Sequence, residues 1–209
     1  MRRRRIVVGA TLGVGATLLG LSLSVHPGDR LFYALTLALA VTWAIGAVVA
    51  GPLPLGCVRG RSGLHRPVLA PILVGLIAVA VFTAGAPLVA QVPTLRASLE
   101  EVLDHARLGS LPVLVLITAA TGVAEELFFR GALYSAVAST RPVLVCTAIY
   151  TLTTVTTGNV MLVVAAALLG LLVGVQRQVT RGVLAPALTH VTWSVGMLLI
   201  LPPLMSALR

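Results

Sequence analysis

Apolar runs near twenty residues long recur along almost the whole chain, at 6–25, 31–51, 68–92, 111–137, 142–157, 159–176 and 183–203, broken by Arg, Pro and Gly. A hydrocarbon core about 30 Å thick takes ~20 apolar helical residues to cross, and a helix satisfies its own backbone polar groups on the way. The pattern predicts an all-α fold, a polytopic transmembrane helix bundle of about seven spans (six to eight). Only 10% of the residues are charged, against about 25% in soluble domains, so a water-facing shell cannot be built. The range 1–209 reads as a single integral membrane domain.

Charge orients the spans. With the N-terminus inside, the inner segments hold Arg2, Arg3, Arg4, Arg5, Arg59, Arg61, Arg66, Arg141, Arg177 and Arg181, and the outer ones only Arg30, Arg96, Arg107 and Arg209. This positive-inside bias predicts a multi-pass protein of the cell (plasma) membrane with a cytoplasmic N-terminus and an outer C-terminus. The net charge of +9 is explained by that bias, with no nucleic-acid partner. Arg2–Arg5 and the apolar run after them read as an uncleaved first span, since the run exceeds a 7–15-residue signal core. Cys57 lies in a loop and Cys146 in a span, with no spacing for a zinc site or a disulfide.

Two segments differ from the spans. The range 95–108 places Leu95, Leu99, Val102, Leu103 and Ala106 on one helical face and most of Glu100, Glu101, Asp104 and Arg107 elsewhere, which predicts an amphipathic helix on the outer interface. Thr156-Thr157-Gly158-Asn159 is a turn signal that predicts an antiparallel pair from the two short runs around it.

Glu125, Glu126 and Arg130 fall inside the fourth run. A charge at bilayer depth costs at least ~2.5–3.5 kcal/mol, so such residues point to function. At 100° per residue, Arg130 projects about 40° from Glu126 but about 140° from Glu125. Glu126 is thus the i,i+4 partner of Arg130, while Glu125 needs another occupant beside it: water, substrate, or a polar side chain of a neighbouring helix. That position suits a general base; a purely structural ion-pair knot is the competing reading. His190 lies roughly 10 Å into the last run, at a depth comparable with Glu125, and Ser194 follows one turn later on the same face. Thr147, Thr151 and Thr154 make a polar stripe on the fifth run that is able to face the carboxylates.

The block Glu125-Glu126-x-x-x-Arg130, followed by Gly131, resembles the first motif of the CAAX protease and bacteriocin-processing (CPBP, or Abi) intramembrane proteases, relatives of the eukaryotic prenyl-protein endopeptidase Rce1. Gly182-Val183-Leu184-Ala185-Pro186-Ala187 with His190 resembles their last motif, and 111–203 would be the catalytic core. The resemblance implies an endopeptidase that cleaves membrane-associated protein or peptide substrates near the cytoplasmic face. It implies Glu125 as the water-activating base, Glu126 and Arg130 as its support, and His190 at the oxyanion, where Ser194 adds a hydroxyl at a position that is often Asn in the family. A divalent metal such as zinc has been inferred for the family, with Glu125 and His190 the candidate ligands here. The middle motif, usually Phe-x-x-x-His, is Tyr150 to Thr154, so Thr154 stands where histidine is expected.

Two other functions use the same residues. A catalytically impaired membrane protein that binds a partner in immunity or regulation is favoured by Thr154. A proton-coupled carrier is suggested by membrane-embedded Glu, His and Arg, and disfavoured by the lack of a visible inverted repeat.

Overall fold

The computed structural model describes residues 2–60 and 63–207; Arg61 and Arg209, counted in the charge bias, lie outside the described residues. Six helices are long and apolar enough to cross a membrane, and Pro142–Thr157 is a shorter apolar one. The spans are α1 (Arg2–Ser24), α2 (Arg30–Ala50), α3 (Leu69–Ala90), the unit Leu111–Ala136, α8 (Val160–Thr180) and α9 (Leu184–Ala207), with α7 (Pro142–Thr154) the short one. The unit Leu111–Ala136 is α5 (Leu111–Glu126), a π-helical stretch Leu127–Leu133, and α6 (Tyr134–Ala136). The amphipathic segment is α4 (Pro93–Leu108). The protein is an all-α multi-pass membrane bundle, as the hydropathy pattern implies.

Local chemistry accounts for the helix starts. Asp29 accepts from Leu31 N at 2.9 Å at the head of α2, and Asn159 accepts from Leu162 N at 3.2 Å at the head of α8, satisfying amides that lack helical partners. Proline opens α4, α5 and α7, where its missing N–H costs nothing. Large side chains left outward, such as Val48, Leu116, Leu152 and Val179, are 66–70% exposed and give the bundle an apolar coat.

Three boundaries depart from the sequence reading. Helix α1 runs back through the arginines to Arg2. Helix α8 continues to Thr180, so Arg177 is inside a helix rather than in a loop. Helix α9 passes through Pro202 and Pro203 to Ala207. An unforeseen antiparallel hairpin, β1 (Val58–Gly60) with β2 (Gly63–His65), occupies the loop before α3.

The helix ends form two faces. On the arginine face, Arg4 Nε donates to Ala50 O at 2.9 Å, tying α1 to the end of α2. There the strand-like stretch before β1 pairs with the start of α9: Val183 N donates to Pro54 O at 2.9 Å and Cys57 N to Thr180 O at 3.0 Å. A Cβ on Gly182 would stand 2.0 Å from Gly56 N, so only glycine allows this approach. Gly182 therefore pins the start of α9. On the opposite face α4 is fixed at three points: His105 Nε2 lies 3.0 Å from Val25 O, and Asn159 Nδ2 donates to Ser98 O at 2.7 Å and to Glu101 at 2.9 Å. Its apolar side, Leu99 and Leu103, packs on Ala86 of α3 and on Leu201 and Met205 of α9.

The main core joins α1, α2, the π-helical stretch and α7. Trp43 packs against Phe128 and Phe129 with ring centroids 4.7 and 5.1 Å away, and Phe129 packs edge-on against Tyr150 at 4.7 Å. This aromatic stack sits on the arginine side of the two glutamates and fixes the helix that carries them.

Candidate active site

Glu125 and Glu126 close α5 where the helix widens into its π-helical turns, a local form often found at functional sites. Glu126 is fully buried and Arg130 is 1% exposed. Arg130 donates to Glu126 Oε1 at 2.8 Å, the i,i+4 pairing expected from the spacing, and to Gly170 O of α8 at 3.1 Å. Its guanidinium also lies 4.8 Å from the centre of the Tyr150 ring. A buried pair of this kind needs further partners: Arg130 has the Gly170 carbonyl and the face of the Tyr150 ring, while Glu126 Oε2 has no hydrogen-bond partner among the described residues.

His190 reaches the same carboxylate from α9. Its Nδ1 is 2.7 Å from Glu126 Oε1, and its Nε2 is 3.9 Å from Glu125 Oε2. Glu126 thus orients the imidazole: Nδ1–H donates to the carboxylate, and Nε2 is turned toward Glu125. Sequence spacing gave no indication of the Glu126–His190 bond, because it joins residues 64 apart in the chain.

The neighbour that Glu125 required is Tyr150 of α7, whose hydroxyl donates to Glu125 Oε2 at 2.8 Å. Glu125, His190, Tyr150, Thr154 and Ser194 line one cavity of about 280 Å³. The acid of the fourth span and the imidazole of the last therefore share a hollow.

The threonine stripe divides. Thr154 lines the cavity, but its hydroxyl donates back to Tyr150 O at 3.0 Å, the self-satisfied arrangement usual for threonine in helices. Thr147 turns instead to α8, against Gly170 and Gly174. Two polar groups were missed. Arg177 is 8% exposed, donates to Arg130 O at 2.6 Å and stacks on Tyr134 at 4.6 Å; it lies inside α8, where the hydropathy run ending at 176 predicts a charged loop. Gln176 donates to Thr189 at 2.9 Å, and Thr189 donates to Pro71 O at 2.8 Å, joining α8, α9 and α3 below the site.

The side of the site toward the arginine face is packed with side chains. Phe128, Phe129, Arg130 and Val183 are at most 1% exposed and fill that side. Leu53 closes over Gly131, where a Cβ would meet Leu53 at 2.6 Å. The cavity runs instead toward α4, along Leu23, Phe32, Leu114, Thr157 and Leu162.

Catalytic zinc sites use three protein ligands drawn from His, Glu, Asp and Cys. Among the described residues no three such side chains are grouped to hold an ion. Glu126 is engaged by Arg130 and His190, and the hydroxyl of Thr154 is a poor donor where the resembling family has imidazole. The residues present do not fit a resident divalent metal.

Residues 107–196 match the family model described as type II CAAX prenyl endopeptidase Rce1-like. The match is a similarity over less than half of the chain, and it includes every site residue named above from Glu125 to Ser194. No curated protein and no solved structure matches the chain.

Proposed function

We propose that this protein is an intramembrane endopeptidase in which Glu125 activates water against a peptide bond of a membrane-associated protein or peptide. The observation that carries this reading is the meeting of Glu125 and His190, from separate spans, in one cavity with 3.9 Å between Oε2 and Nε2. Glu125 removes a proton from water, and the water oxygen attacks the scissile carbonyl carbon. The resulting oxyanion is met by Nε2–H of the protonated His190, whose Nδ1–H stays on Glu126. Glu125 then gives its proton to the leaving amine as the C–N bond breaks, yielding one acid and one amine. Such positioned acid–base catalysis is worth about 10²–10⁴-fold.

Glu126 and Arg130 are positioning residues in this scheme, and Tyr150 holds the base. Ser194, on the same cavity wall, is a further donor to substrate. The Rce1-like match of residues 107–196 supports a peptidase. The arginine-rich face is assigned to the cytoplasm of a plasma membrane, which places the N-terminus inside. The test is purified protein in proteoliposomes with a membrane-tethered, fluorogenic peptide, products mapped by mass spectrometry. Cleavage should occur without a hydroxylamine-trappable acyl-enzyme; a trapped acyl-enzyme would replace this mechanism by a nucleophilic one.

Thr154 supports a second reading, binding of a partner without hydrolysis, because its hydroxyl is spent on Tyr150 O. Peptide binding by wild type with no cleavage would select it.

A further inference from the structure

The route to Glu125 is built from one side of the bundle. Much of the site cavity wall comes from the C-terminal end of α1, the N-terminal ends of α2, α5 and α8 and the stretch ending at Thr157, with Tyr150 of α7 and Trp193 and Ser194 of α9 completing it. A second cavity of about 330 Å³ lies directly beneath α4, lined by Leu99, Val102 and Leu103, and shares Phe32, Leu114, Thr118, Trp193 and Ser194 with the first. The two cavities therefore adjoin along these shared side chains. On the other side, the cavities at Arg3–Arg5 and at Val58 with Val175 include neither Glu125 nor His190.

The chemistry of this route defines its occupant. Among the described residues, Glu125 and His190 are the only titratable side chains besides Tyr150 on the site cavity wall, and His105 the only one on the chamber wall, where it is already held by Val25 O and Glu101 O. Glu100, Asp104 and Arg107 of α4 do not line the chamber; Arg107 pairs with Asp104 at 3.1 Å and with Glu100. Two polar atoms on the wall near the reacting groups, Thr121 Oγ1 and Trp193 Nε1, are buried and have no partner among the described residues. A chamber that is apolar for most of its length and offers unspent hydroxyl and indole groups beside the acid fits a peptide backbone carrying apolar side chains.

We infer that the substrate is an extended apolar peptide segment delivered from the α4 face, which passes beneath α4 to Glu125, and that the arginine face is closed to it. This inference deepens the endopeptidase reading and rests on it for the word substrate; the access route itself does not need activity.

A thiol experiment separates the two. Cys57 is exposed on the arginine face and serves as the internal marker for that side, while Cys146 is buried. Thr118→Cys adds a thiol where the two cavities join. A membrane-impermeant sulfonated maleimide is applied to sealed vesicles of each orientation, and both sites are read by mass spectrometry. Thr118→Cys should be labelled from the side where Cys57 is silent, and Cys57 from the other. Labelling of both thiols from one side, or none at Thr118→Cys from either, would overturn the route. In the active protein, Val102→Trp, which fills the chamber under α4, should raise KM for an apolar tethered peptide about tenfold with kcat unchanged; an unchanged KM would overturn the choice of occupant. If wild type cleaves no peptide, the endopeptidase reading fails while the labelling still decides the route.

Discussion

Tyr150→Phe removes one oxygen and leaves the rest of the site standing. The phenyl ring keeps its edge contact with Phe129 at 4.7 Å and its place 4.8 Å from the Arg130 guanidinium. What disappears is the 2.8 Å hydrogen bond to Glu125 Oε2. A hydrogen bond to a charged group contributes about 1.5–3 kcal/mol, and each ~1.4 kcal/mol is tenfold in rate, so full transmission to the barrier would slow turnover about ten- to hundredfold. The same bond stabilises the ground-state carboxylate, which offsets part of that loss. The lower end is therefore expected, a fall of about tenfold in kcat with KM unchanged, the pattern of a group that orients the base without holding substrate. The assay is steady-state cleavage of the tethered peptide in proteoliposomes. Added to Glu125→Gln, Tyr150→Phe should cost nothing more, because both act on one carboxylate. Undiminished kcat in Tyr150→Phe, or full additivity in the pair, would refute the assignment.

Other substitutions probe the support beneath the site. Arg130→Met leaves Glu126 buried without its guanidinium and should cost about 3–5 kcal/mol, read as a lower unfolding midpoint in detergent. Gly182→Ala drives a methyl onto Gly56 N and should destabilise the protein by a similar amount, or block folding, whereas Gly158→Ala, with open space around it but a φ of +70°, should cost only about 1 kcal/mol. Arg177→Met removes the 2.6 Å bond to Arg130 O and should lower both kcat and thermal stability, while Arg181→Met, exposed at the end of the same helix, should leave kcat unchanged.

The spans, the interfacial helix and the Glu126–Arg130 pair were legible because each follows from periodicity within one segment. Hydropathy found 31–51 to within a residue of α2, 142–157 coincides with α7 plus the 3-10 turn that follows it, and the 3.6-residue repeat found α4. The contacts between segments were not legible. Nothing local links His190 to Glu126 or Tyr150 to Glu125, since those bonds depend on how α5, α7 and α9 rotate against one another. Arg177 was misread for a physical reason: a positive charge ends a hydropathy run, yet Tyr134 and the Arg130 carbonyl let α8 carry it inward. The direction of the cavity was hidden in the same way. Composition showed that Phe128 and Phe129 were apolar, and only packing showed that they and Trp43 stopper the arginine side.

Glu125→Gln keeps the shape and the polar contacts of the side chain while removing its capacity to take a proton. Measured beside wild type on the tethered peptide, with folding matched by unfolding midpoint, it should lose at least about a hundredfold in kcat. Cleavage by Glu125→Gln at the wild-type rate would show that the carboxylate does not activate the attacking water.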